Sequence, residues 1–151
     1  MSTMSLRRDH ELIEKVIKAM ELTIELLNTG KQIPESILLP VIDFSKNFTD
    51  VCHHSKEEKS LFPALEQAGL PSKMGPIAMM LIDHQRSREI GTQMEESAQE
   101  YLLSGNSIKL ISDMQLYVEH ITEHLWKENN KLFMMAEARL QYVSKKVNAD
   151  L

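Results

Sequence analysis

The chain is poor in residues that break helices, with five glycines and five prolines among 151 residues. Its β-branched runs are short, and both scarcities argue against a sheet protein. The single cysteine, Cys52, excludes an intrachain disulfide and suits a reducing cytosol. No apolar run approaches the ~18 residues of a membrane span, and the N-terminus carries no signal-like apolar region. The expected location is therefore cytoplasmic, with no membrane partner. Positive charge is in deficit, the formal net charge being −5. Nucleic acid is not an expected partner, because binding phosphates needs concentrated Lys and Arg.

What remains is the composition of an ordinary soluble protein, 42% hydrophobic and 26% charged. The length predicts a single domain over residues 1–151. Ten methionines are read as adaptable core filler. The apolar spacing predicts four helices. The first runs from about Ser5 to Asn28, with Leu12, Ile13, Val16, Ile17, Met20, Ile24 and Leu27 as its stripe and Gly30 as its stop. The second starts near Pro34 and reaches about Ala68, with Phe44, Phe48 and Val51 on its buried side. Pro63 should bend or end its regular part. The third covers about Pro76 to Leu103, through Ile77, Met80, Leu81, Ile90, Met94 and Tyr101. The fourth follows Asn106 or Ser107 as N-cap, carries Ile111, Met114, Tyr117 and Ile121, and continues toward Lys145 and Lys146. Four long helices with short connections imply an all-α, antiparallel up-down-up-down bundle.

One pattern repeats in the two halves. Cys52-His-His-Ser-Lys-Glu-Glu-Lys-Ser-Leu-Phe overlays on Glu123-His-Leu-Trp-Lys-Glu-Asn-Asn-Lys-Leu-Phe, pairing His53 with His124, Lys56 with Lys127 and Glu57 with Glu128. On a helix, residues four apart share a face, so each run presents an imidazole and a carboxylate together. Each is preceded by a helix carrying a lone histidine, His10 or His84. A single His-x-x-x-Glu would be an ordinary surface pair; two, each completed by a further histidine, point to a metal site in a bundle core. Imidazole with carboxylate suits iron, manganese or zinc. Four histidines and two glutamates exceed the needs of one tetrahedral zinc. They fit two ions held close, with the glutamates between them. Projection at about 100° per residue centres the second helix's stripe nearer His54 and Glu58, whereas the repeat selects His53 and Glu57. The repeat is preferred, and a π-bulge would reconcile the two. His120 is assigned to an outer carboxylate rather than to the metal. Cys52 is read as buried and inert.

These stretches, with Arg8-Asp-His10 on the first helix and Gly75-Pro-Ile through Asp83-His84 on the third, resemble the hemerythrin-like, or HHE cation-binding, family over nearly the whole chain. The resemblance implies a four-helix bundle around a non-haem di-iron centre, completed by an oxo, hydroxo or water bridge. The implied ligands are His10, His53, Glu57, His84, His124 and Glu128. The chain departs from the oxygen-carrying members. Met80 and Arg88 stand one turn either side of His84, where those proteins have a second histidine, and Glu128 replaces an aspartate one residue further on. The missing imidazole leaves an open or water-filled position unless His120 fills it. The expected function is binding, sensing or reaction with dioxygen, nitric oxide or peroxide. Iron storage, delivery or repair, and a peroxidase-like redox enzyme, are the alternatives. A protein partner or redox donor would have to supply any output.

Overall fold

The computed structural model describes residues 3–150, with side chains placed through residue 141. Lys145 and Lys146, expected to close the last helix, lie outside the described side chains. The first rod is α1 (Met4–Asn28). The second is built from α2 (Glu35–Phe44), π-helical stretches at Ser45–His54 and Glu57–Leu61, and α3 (Phe62–Gln67). The third is α4 (Pro76–Ser104). The fourth comprises α5 (Ile108–Lys127), a π-helical turn at Glu128–Leu132, and α6 (Phe133–Asp150). The rods contact one another in a closed ring, α1 to the second rod, that rod to α4, α4 to α5, and α5 back to α1. Short connections force successive rods to run antiparallel. This is the four-helix bundle expected from the periodicity.

The rods end where their turn chemistry says they should. Gly105 closes α4 in the left-handed conformation, φ 76°, with its N–H on the Tyr101 carbonyl. Glycine carries no Cβ penalty there. Gly30 turns the first connection at φ 83°. That connection is tied down by the Ile33 N–H, which donates to the Tyr101 hydroxyl at 2.9 Å. Of the two candidate N-caps of α5, Ser107 takes the position without a side-chain cap bond, and the preceding Asn106 side chain accepts from the Ile108 N–H at 3.1 Å.

The second rod departs from a plain α-helix for a reason visible in its burial. Ser45, Thr49, His53, Glu57, Leu61 and Leu65 are all buried, one every fourth residue. In an α-helix such a row drifts about 40° per step; wider i→i+5 turns hold it on one face. The Glu57–Leu61 and Glu128–Leu132 turns fall at the two aligned positions of the repeat. The longer Ser45–His54 stretch has no counterpart in the fourth rod, where α5 stays regular to Lys127. Pro63 does not end the rod: the π-helical turn precedes it and α3 continues to Gln67.

Several expected core residues are outside. Val51 is 57% exposed, because the π-helical register turns its side away from the bundle. Leu12 and Leu81 are also exposed. Cys52, expected to be buried, is exposed beside Val51 on that same outer side. Met20, Met80, Met94 and Met114 are buried filler, but Met4, Met74, Met79 and Met134 are exposed, so the core-filler expectation holds for only part of the methionines. The apolar interior forms two clusters. One, with Ile17, Ile24, Ile42, Met94, Met114 and Ile121, fills one end. The other, with Leu6, Leu61, Phe62, Ile77, Leu132 and Phe133, fills the opposite end. Between them lies a belt of buried polar side chains.

Candidate metal centre

The belt consists of His10, His53, His54, Glu57, His84, His124 and Glu128, none more than 1% exposed. Every residue predicted from the sequence is in it, and His54 joins them. Two groups form: His54, His84 and His124 with Glu57, and His10 and His53 with Glu57 and Glu128. Within each group one donor atom per residue lies within 4.8 Å of all the others.

The carboxylates lie between the groups. Glu57 Oε1 is 3.1 Å from His84 Nε2 and 3.6 Å from His53 Nε2. Glu128 Oε1 is 3.0 Å from His10 Nε2 and 3.3 Å from His124 Nε2. Each therefore touches one imidazole of either group. The wide turns beginning at Glu57 and Glu128 lead directly out of these positions.

The rings are aimed from behind. His53 Nδ1 meets Asp9 Oδ2 at 3.0 Å, and Lys56 holds that same oxygen at 2.8 Å. His124 Nδ1 meets Asp83 Oδ2 at 3.0 Å, and Lys127 holds it at 2.9 Å. These two relays are equivalent under the repeat: the aspartate before each lone histidine reaches the histidine of the following rod. His84 Nδ1 meets Glu58 at 2.9 Å, and the matching His10 Nδ1 meets Asn129 at 2.8 Å. Arg88 bridges Glu58 and Asp50. Such outer partners fix the tautomer and turn Nε2 inward. His120 lies outside the belt and contacts the Asp83 carbonyl, not a carboxylate oxygen as expected. Glu137, aligned with Glu66 in the repeat, pairs with Arg7 at the surface.

Electrostatics set the two carboxyls apart. Burial and the neighbouring Glu128 charge hold Glu57 well above the usual carboxyl range. Burial opposes ionisation of Glu128 as well, but His124 and the bonds around it prevail and hold it well below that range. His124 is pushed up to about 9 by Glu128 and Asp83, against its burial. Burial, with the neighbouring imidazoles, pushes His54 down to about 4 and His84 down to about 3.

Buried polar atoms normally have partners. Here both Glu57 oxygens, Glu128 Oε2, His84 Nε2, His124 Nε2 and both His54 nitrogens lack a hydrogen bond. Several face one another at ion-pair distance without hydrogen-bond geometry. Lone pairs buried and converging in this way fit cations as the missing partners. The family model for the hemerythrin HHE cation binding domain matches residues 2–136. The chain belongs to the hemerythrin HHE family. No curated protein and no solved structure matches it. The histidine and glutamate groups of this hemerythrin domain are able to hold metal ions. No described helix is long and apolar enough to cross a membrane.

Sequence reasoning missed Asp9, Asp83 and Asn129, and it weighed His54 and Glu58 but preferred His53 and Glu57. The aspartates were detectable, since each directly precedes a lone histidine in the same half of the repeat. His54 was detectable from its stripe projection, had the π-helical reconciliation been extended to include both neighbours rather than choose between them.

Proposed function

We propose that this hemerythrin-family chain is a non-haem di-iron protein that binds, senses or reacts with dioxygen, nitric oxide or peroxide. One observation carries the reading: five inward imidazoles divide three to two around Glu57, which belongs to both groups, and Glu128, which belongs to one and contacts His124 of the other. Glu57 and Glu128 would be shared between two cations. His54, His84 and His124 would hold one and His10 and His53 the other, and the side with fewer imidazoles is where an exogenous ligand would bind. The residue matching His54 in the repeat is Leu125, buried in the apolar cluster, so the chain supplies no donor there.

Ferrous iron, when bound, supplies the electrons and the lone-pair-accepting position that such ligands need. The chain's own residues do the rest. Asp9, Asp83, Glu58 and Asn129 hold four rings at fixed orientation. The two apolar clusters exclude bulk water from either end. Burial and the Glu128 charge favour the protonated form of Glu57, and a pKa of about 9 favours the protonated form of His124, so metal entry competes with protons.

The test is metal content per chain, together with the absorption of anaerobically reduced protein on exposure to air. Two irons per chain and a new charge-transfer band are expected. A band that vanishes under vacuum selects binding or sensing, whereas irreversible oxidation with peroxide turnover selects an enzyme. Substoichiometric iron, with no rise in melting temperature on adding ferrous iron, would overturn the proposal.

A further inference from the structure

His54 differs from the other four imidazoles of the belt. His10, His53, His84 and His124 each have Nδ1 within 3.0 Å of an outer oxygen. His54 has no hydrogen bond at either nitrogen, although it is fully buried. Its Nδ1 faces Asp50 Oδ1 only at 3.5 Å, and Arg88 shares that oxygen at 2.8 Å. The ring also stacks on His84, at 3.9 Å between centroids.

A cavity of about 410 Å³ lies against this ring, between the Ser45–His54 stretch and α4. Its inner wall is His54, Ser45, Ser87 and Tyr117, all buried; its outer part reaches exposed Lys46 and Glu96. Gly91 forms part of the wall in the middle of α4, and a Cβ added there would meet nothing within 4 Å. A larger side chain at this position would therefore extend into the cavity rather than into packed protein. The hydroxyls along it have spent their protons. Ser45 donates to the Ile42 carbonyl and Ser87 to the Asp83 carbonyl. Both therefore present lone pairs to whatever enters.

We propose that this cavity is a ligand-binding site and door to the three-imidazole position, and that His54 is the replaceable donor at its inner end. The occupant is a small protic nitrogen or oxygen donor: a lone pair for the metal, and an N–H or O–H for the Ser45 and Ser87 oxygens. The volume accommodates a five-membered ring. This rests on the two-cation reading above, and it concerns the three-imidazole group rather than the two-imidazole group.

Imidazole is the probe and Co²⁺ the metal, read by the visible ligand-field spectrum. The wild type must first bind two Co²⁺ per chain; failure here sinks the di-metal reading itself. In the Co²⁺-loaded His54→Ala protein, added imidazole is expected to restore the wild-type spectrum in a saturable titration. Adding Gly91→Leu to that variant should slow the recovery about tenfold or more, as a plugged path does. Thr122→Phe, in the separate groove on the α1–α5 side, should not. No imidazole response in His54→Ala, or recovery as fast with Gly91→Leu, overturns the proposal. Should His54→Ala not fold, the comparison is made with His54 present: imidazole displaces it from the wild type, and Gly91→Leu slows that exchange. An unaltered rate, or no exchange, again overturns it.

Discussion

Glu57 and Glu128 occupy equivalent places in the repeat, yet replacing them by glutamine should have unequal effects on the metal-free protein. Burial and the charge of Glu128 raise the pKa of Glu57 and so favour its protonated form. Glutamine is then close to an isostere, and Glu57→Gln should change stability by less than about 1 kcal/mol. Glu128 is ionised and pairs with His124 at 3.3 Å, both side chains fully buried. Glu128→Gln strands a buried imidazolium, which costs about 3 kcal/mol. His124 can limit the loss by releasing its proton, which forfeits the stabilisation that its raised pKa of about 9 gives the folded state at pH 7, roughly the same amount. For a domain of this size about 3 kcal/mol lowers the melting temperature by roughly 6–12 °C. The assay is thermal and urea denaturation of chelator-treated protein at pH 7. The sign can be checked with pH. His124 has a raised folded-state pKa, so its stabilisation is complete below about 6.5 and is lost as the pH rises through about 9. The Glu128→Gln penalty should therefore shrink at pH 10. Equal losses for the two glutamines in the metal-free state, or a penalty independent of pH, would refute this account of the belt.

Two further predictions follow from the same geometry. His54 and His84 have folded-state values of about 4 and about 3, so the unfolded chain takes up their protons first as pH falls below about 6.5. Metal-free protein should lose up to about 3 kcal/mol per histidine on the way to pH 4, and His54→Gln should flatten that slope in urea titrations; an unchanged slope counts against it. Asp9→Asn and Asp83→Asn each remove the charge behind one ring and should weaken metal binding by about 10–100-fold, measured by competition with a chelator; wild-type affinity in both would show that the relays do not orient the rings.

The bundle was legible because its signals are redundant. Apolar periodicity, the Gly30 and Gly105 stops and the two His-x-x-x-Glu runs all specify the same four rods. All six site residues predicted from the sequence lie in the belt for the same reason. The errors cluster where α-helical projection fails. Val51 was placed on the core side and Cys52 inside, because projection assumes a constant turn, and the Ser45–His54 stretch does not keep one. The choice between His53 and His54 was false: a wider turn buries both. The row of buried residues at every fourth place was the available signal. Arg88 looked like a gap left by an absent ligand, but its contacts with Asp50 and Glu58 depend on rods distant in sequence. No local pattern announces them.

The unmatched π-helical stretch also has a consequence for how this protein could change. Above it the second rod meets its neighbours in one phase, and below it in another, so the two ends of the rod are mechanically geared apart. The fourth rod, regular through the corresponding length, has no such gear. The two halves of this chain share one repeat but are not equally free to be retuned.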